Sequence, residues 1–254
     1  MSAAGTVDVL RRSPEAIRSL REEWLTRMAA QVVHWSWHAR GFLDLFAVCA
    51  GGETVGYAAV GAVPPEPRDI VKELHLAPSS REYAPAAFRR LLAESGARRI
   101  EAQTNDTLLC DLLRAHAGDV TEEYLLFADG RATSLERADA RLERLTPEAR
   151  ARVFTHEVEP VGDWGVFVAG EVVATGGLLT HYNPPFADLY MEVAAPYRRM
   201  GYGAWLVQEL KRVAGAAGHV PAARCRPANA ASARTLERGG LVRCGAILRG
   251  RLAT

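Results

Sequence analysis

Residues 190–212 read YMEVAAPYRRMGYGAWLVQELKR: an apolar segment, an arginine pair, two glycines, then a strongly helical run. This is the order of a strand handing over to a helix. A helix N-terminus exposes N–H groups that have no intrahelical acceptor and carries a partial positive charge, so it attracts phosphate. Glycine allows close backbone approach and left-handed torsions. Arg198, Gly201 and Gly203 set the spacing R-x-x-G-x-G, Arg199 adds a second charge, and Ala204 keeps the first helical turn slim. The pattern differs from the dinucleotide signature G-x-G-x-x-G, and it is not a G-x-x-x-x-G-K-S/T loop.

The elements around this junction form an order that occurs twice. FLDLFAVCAGGETVGYAAVGAV (residues 42–63) is two apolar runs about Gly51-Gly52, a hairpin signal. DIVKELHL reads as a strand, APAAFRRLLAESG as a helix stopped by Gly96, RRIEAQT as a strand, DTLLCDLLRAHAG as a helix and EEYLLFADG as a strand. In the second half WGVFVAGEVVATGGLL (164–179) matches the hairpin, ADLYMEV the next strand, GAWLVQELKRVAGAAG the helix, PAARC the strand and NAASARTLERGG the second helix. A repeat of this size implies two copies of one mixed α/β plan, each burying its helices on its own sheet. The expected division is a first unit over 1–130, a helical joint over 131–152 and a second unit over 153–254. In the joint, Leu135, Ala138, Leu142 and Leu145 form an apolar stripe, and the charges of Arg137, Arg141, Glu143 and Arg144 read as a solvated face. Ahead of the first hairpin, Ser13 and Pro14 open a helix with Ile17, Leu20, Trp24, Leu25 and Met28 on one face.

Composition narrows the class of function. Lysine plus arginine, 31, nearly equal aspartate plus glutamate, 30, so neither a nucleic-acid footprint nor a polybasic membrane surface is present. No apolar run approaches the roughly 18 residues of a membrane span, and the first twenty residues lack a cleavable leader pattern. Cys49, Cys110, Cys225 and Cys244 are dispersed without a C-x-x-C pair and read as thiols of a reducing, cytoplasmic compartment. His34 and His38 stand four apart, but no H-E-x-x-H and no third ligand accompany them, so aromatic packing is expected and no metal.

With Val193 closing the strand before the loop, and Asn229 and Ser232 in NAASARTLERGG beyond it, residues 153–254 resemble the GCN5-related N-acetyltransferase (GNAT) family. Its hallmark is an apolar strand end, Q/R-x-x-G-x-G/A, a helix, a strand and an N-x-x-S/A helix. Residues 40–130 resemble it as a degenerate copy, so the chain looks like a tandem acetyltransferase-fold protein. The resemblance implies an N-acetyltransferase that moves an acetyl group from acetyl-CoA to a primary amine of a small molecule, amino acid or peptide, with homodimerisation left open. It implies that the backbone of Met200, Gly201, Tyr202, Gly203 and Ala204 holds the pyrophosphate beside Arg198 and Arg199. Val193 would pair with the pantetheine arm, with Asn229 and Ser232 on its other side.

The chemistry requires a proton acceptor, because an ammonium with pKa near 10 must be deprotonated before attack. Glu192 is the nearest carboxylate to the expected thioester, followed by Asp188 and His181. The position where the resemblance implies a tyrosine acid is Leu236, which leaves Tyr182, Tyr190 or solvent for the leaving thiolate. That departure keeps a non-catalytic acyl-CoA sensor as the alternative. Aligning the copies sets Leu76 at Val193, Glu82 at Arg199, Ala84 at Gly201, Pro85 at Tyr202 and Ala86 at Gly203, so the first copy is expected to bind no pyrophosphate.

Overall fold

A computed structural model describes residues 6–253. The chain forms two units, Met1–Glu123 with Ala246–Thr254, and Tyr124–Gly245. Along the chain the elements are β1 (Val7–Arg11), α1 (Arg18–Arg27), β2 (Leu43–Ala50), β3 (Glu53–Gly61), β4 (Ile70–Leu76), α2 (Ala84–Ser95), β5 (Arg99–Gln103), α3 (Thr107–His116) and β6 (Ala117–Asp129). There follow β7 (Ala140–Arg144), α4 (Pro147–Arg150), β8 (Trp164–Val168), β9 (Glu171–Leu179), β10 (Phe186–Val193), α5 (Tyr202–Ala216), β11 (Val220–Cys225), α6 (Ala230–Arg238) and β12 (Leu241–Leu252).

In the N-terminal unit β1 to β4 pair antiparallel in sequence order, and β5 lies parallel to β4. A parallel neighbour requires a crossover, which α2 supplies. The glycines at the first hairpin have φ of 58° and 87°, the left-handed values a tight two-residue turn needs. Ala87, Phe88 and Leu91 of α2 and Leu109 and Leu113 of α3 are buried with Val71, Leu76 and Ile100. A second cluster joins Ile17, Trp24 and Met28 to Tyr57, Ala59 and Leu45. The first helix therefore buries the face its sequence marks, after a 3-10 turn at Glu15–Ile17.

The C-terminal unit repeats the plan. β7 to β10 pair antiparallel in order, β11 lies parallel to β10 across the α5 crossover, and the end of β6 pairs antiparallel with β11 from Cys225↔Leu125 to Ala222↔Ala128. Tyr202, Leu206, Val207 and Leu210 of α5 are buried with Val173, Leu189 and Phe127.

The boundaries differ from those expected at 130, 152 and 254. Residues 131–152 are not a helical joint: β7 is a strand paired antiparallel with β8, Leu145 is buried, and only Pro147–Arg150 is helical. The chain's last residues belong to the first unit because β12 pairs with β5 from Ile247↔Gln103 to Arg251↔Arg99. His34 packs against the rings of Trp24 and Trp37, and both His34 and His38 also reach a carboxylate. Their Nε2 atoms lie 2.8 and 2.9 Å from one oxygen of Glu73, whose side chain is fully buried. No helix among the described residues is long and apolar enough to cross a membrane, and no group of three or more His, Cys, Asp or Glu side chains among them is arranged to hold a metal ion.

Candidate functional site

The parallel pairing of β10 with β11 stops early. It runs from Phe186↔Val220 to Asp188↔Ala222, whereas β10 stays paired with β9 without a break from Asp188↔Leu179 to Val193↔Ala174. Residues 189–193 thus have one neighbour and an open edge. The N–H of Ala194 donates to the carbonyl of Val173 at 2.9 Å, so alternation along the strand turns the N–H and C=O of Val193 away from β9, toward that opening. An extended chain with amide groups can add itself there as a strand would.

At the end of this edge lies the glycine loop. Arg199 has φ of 65° and Gly201 of 92°, and Gly201 is the N-cap of α5, with no side chain capping the helix. The first-turn N–H groups of α5 therefore have no side-chain acceptor, an arrangement that favours an anion. Gly203 is needed for a different reason. A Cβ there would lie 3.0 Å from Thr235 Cγ2 and 3.3 Å from Val193 Cγ2, so its absence lets α5 sit against β10 and α6. Val193, Arg198, Arg199, Gly201, Gly203 and Ala204 line a cavity of about 500 Å³, joined on its other wall by Thr235, Arg234 and Arg238. A second cavity of about 350 Å³ shares Met191, Val193, Arg198, Ala231 and Thr235 with it and adds Glu192, Asn229 and Ser232.

Most of the expected site residues converge on these two cavities, with their tasks redrawn. Asn229 is the N-cap of α6: its Oδ1 accepts from the N–H of Ser232 at 3.0 Å. Arg198 donates from Nε to the carbonyl of Val193 at 3.0 Å and closes that acceptor. Met200 is exposed, and Tyr202 is buried beneath the loop with its hydroxyl donating to Asp139 at 2.7 Å. The rings of His181 and Tyr182 lie 4.4 Å apart in a tilted pair, outside the lining of both cavities. Tyr182 is buried beside Asp188 and Arg224, and burial pushes its hydroxyl far above the ordinary phenol range. Leu236 belongs to the core.

Glu192, expected as the base, has its carboxylate occupied. It accepts from the backbone N–H of Glu157 at 2.8 Å, of Val158 at 3.1 Å and of Glu159 at 3.0 Å. Burial raises its proton affinity, but those N–H bonds and nearby His156 outweigh it and hold the carboxyl below its usual range. Glu192 fastens the segment that precedes β8.

Arg137, read from the sequence as one of a solvated row, is a strut under the loop. Its guanidinium donates to the carbonyl of Met200 at 2.6 Å, lies 3.9 Å from the centre of the Tyr202 ring and is oriented by two 3.1 Å bonds to Asp139. Nothing in its local sequence marks it, because the contact spans 63 positions. Arg137→Ala is expected to weaken CoA binding about tenfold, read by calorimetry, with the fold retained. An unchanged affinity would remove Arg137 from the site.

Comparison with known proteins follows the same lines. The Acetyltransferase (GNAT) family model matches residues 131–240. Among solved structures, an acetyltransferase from the GNAT family of Colwellia psychrerythraea is similar at 14% identity, covering 98% of this chain and 100% of that one with a TM-score of 0.71. A tandem GNAT protein from the clavulanic acid biosynthesis pathway, solved without AcCoA, is 13% identical, covers 98% and 99% of the two chains and has a TM-score of 0.60. A GCN5-related N-acetyltransferase from Sphaerobacter thermophilus is 13% identical, with coverage of 98% and 96% and a TM-score of 0.56. A comparison with curated proteins finds no match. At these identities the structures speak for the fold alone, and the family model matches within the C-terminal unit; together they show a chain of tandem GNAT fold whose C-terminal unit is similar to the GNAT acetyltransferase family.

Proposed function

We propose that the chain is an acetyl-CoA-dependent N-acetyltransferase whose C-terminal unit transfers the acetyl group to a primary amine of a small molecule, amino acid or peptide. The observation that carries this reading is the open edge of β10 running into a loop with positive φ at Arg199 and Gly201. Acetyl-CoA is a pyrophosphate joined to an amide-bearing arm that ends in a thioester, and the site offers matching groups in that order. The α5 N-terminus with Arg199, Arg234 and Arg238 suits the phosphates, and the outward amide of Val193 suits the arm and the thioester oxygen. Asn229, Ser232 and Thr235 form the opposing wall. The four thiols, none in a disulfide, fit a reducing, cytoplasmic setting.

The placement of Leu236 in the core favours one second reading, an acyl-CoA sensor that binds without turnover. Acetyl-CoA should raise the melting temperature in either case, and thiol release against a panel of primary amines separates the two. Release with at least one amine supports the transferase; binding with no release by any amine overturns it.

The N-terminal copy lacks the site. Its β4 and β5 also part, after Ile70↔Arg99 and Val71↔Ile100, but the opening is filled. Gln103 accepts from the N–H of Val33 at 3.2 Å and donates to the carbonyl of Gln31 at 2.9 Å, while the Trp24 indole donates to Asp106 at 3.1 Å. The remaining cavity there is about 150 Å³. A 3-10 turn, Pro78–Tyr83, runs straight into α2 with Tyr83 right-handed, and Pro85 has no N–H to offer. Calorimetric titration of the intact chain with CoA should therefore give one site per chain. Two sites, or one that persists in Gly201→Glu, would show that the N-terminal copy binds.

A further inference from the structure

We propose that Glu159, which lies in no recognised motif, accepts the proton of the acceptor amine, and that Glu192 is the positioning residue that seats it. The inference deepens the acetyltransferase reading and rests on it. Glu159 lies in the segment before β8, where its N–H donates to Glu192 Oε2 at 3.0 Å and its carbonyl lies 2.8 Å from His156 Nδ1. Its backbone is thus tied at both ends, while no hydrogen bond or ion pair among the described residues engages its carboxylate. Glu159 and Val193 line the same cavity of about 350 Å³, in which Asn229 and Ser232 form the facing wall. A nitrogen approaching a thioester held at Val193 would enter this space.

The two other carboxylates near β10 fail on different grounds. Glu192 is saturated by three N–H donors, and protonating it would release the segment 157–159. Asp188 has the proton affinity, its carboxyl being pushed up to about 6 by burial, but it is enclosed beside Arg224 at 3.4 Å and lines neither cavity. Glu159 combines access with a suitable environment. Burial raises its proton affinity and Glu192 on β10 adds to this, while Arg224 on β11 and His156 on its own segment oppose it, with a net upward shift. Asp188 and Tyr190 on β10 also feel its charge. A carboxylate so placed attracts an ammonium and keeps enough basicity to deprotonate it.

The step balances as follows. The acceptor ammonium gives one proton to Glu159, which later passes it to solvent. The freed nitrogen forms the C–N bond to the acetyl carbon, the C–S bond breaks, and the departing sulfur takes the second proton of the nitrogen. The products are the acetamide and CoA thiol.

The test uses the full-length chain, acetyl-CoA and the amine that gives fastest thiol release with wild type. In Glu159→Gln kcat should fall about a hundredfold, with CoA affinity by calorimetry changed by less than about twofold. Wild-type kcat should fall as pH drops through the Glu159 pKa, and this acidic limb should vanish in Glu159→Gln but survive in Glu159→Asp. Carbon-13 NMR titration of the free protein labelled at the glutamate carboxyls, which leaves the raised Asp188 out of the spectrum, gives a readout independent of turnover: one glutamate carboxyl should titrate above the ordinary glutamate range, and its signal should be missing in Glu159→Gln. Glu192→Gln should lower kcat while keeping the limb, because it loosens the segment without removing the acceptor. If Glu159→Gln turns over at nearly wild-type rate, or keeps the limb, or if the raised carboxyl signal persists, the assignment is overturned while the transferase reading stands. If wild type binds CoA and releases thiol with no amine, both fall together.

Discussion

Gly201→Glu is expected to abolish acetyl-CoA binding by a chain that stays folded. Gly201 has φ of +92°, which an L side chain adopts only at a cost of about 1–2 kcal/mol. Space is not the obstacle, since a Cβ there would meet nothing nearer than Arg137 Nη1 at 3.5 Å. The obstacle is charge. A carboxylate at this position stands where the N–H groups of the α5 N-terminus face an anion, and it can draw Arg137 away from the Met200 carbonyl that it supports at 2.6 Å. A combined loss of about 2–3 kcal/mol lowers affinity about a hundredfold. Gly201→Ala separates the contributions, because it introduces the backbone strain without the charge and should lose less. Calorimetry on both variants, with circular dichroism to confirm folding, decides the point. Near wild-type affinity in folded Gly201→Glu would mean that the loop does not hold the pyrophosphate.

What the sequence disclosed about this site was what local signals encode. The loop declares itself because left-handed torsions at Gly201, a close approach at Gly203 and arginines beside a helix start all leave their mark within six residues. The hairpin at Gly51-Gly52 and the repeated order of elements are visible for the same reason. What was hidden depends on partners far along the chain. Glu192 looks like a base on its strand, and only the fold brings the N–H groups of residues 157–159 onto it across more than 30 positions. Glu159 has no sequence signal of its own, being defined by the cavity it faces. Arg137 looks like any surface arginine until its place under Met200 is known. The unit boundaries failed likewise: β12 reads as the end of the second copy, and its register with β5, nearly 150 residues earlier, assigns its last part to the first.

The largest effect on stability is expected at Glu73, far from the glycine loop in sequence and wholly within the N-terminal unit. Its carboxylate is fully buried and lies within hydrogen-bond distance of His34 and His38, with Arg21 Nε 4.0 Å from the second oxygen. Burial opposes its ionisation, but the charge on His38 and the bonds from both imidazoles outweigh that and hold the carboxyl well below the usual carboxylate range. Removing one partner of a buried charged network leaves the others uncompensated, which costs about 3–5 kcal/mol. Glu73→Ala should therefore lower the stability of the N-terminal unit by that order, and Glu73→Gln by less, because the amide oxygen still accepts one bond. The pH dependence has a fixed sign. A carboxyl with a depressed folded pKa stabilises above its unfolded value of about 4.3, and that contribution is lost as pH falls through the folded pKa. Wild type should thus shed stability between about pH 4 and acid, and Glu73→Ala should lose this part of the acid sensitivity. Because two units can unfold separately, a single melting temperature would blur the effect, and hydrogen exchange resolved by peptide is the better measure. Protection should drop in peptides covering 43–76 while those covering 164–225 keep theirs. A loss below about 1 kcal/mol there would show that the buried network is neutral to folding, as buried ionic clusters replaced by apolar groups can be.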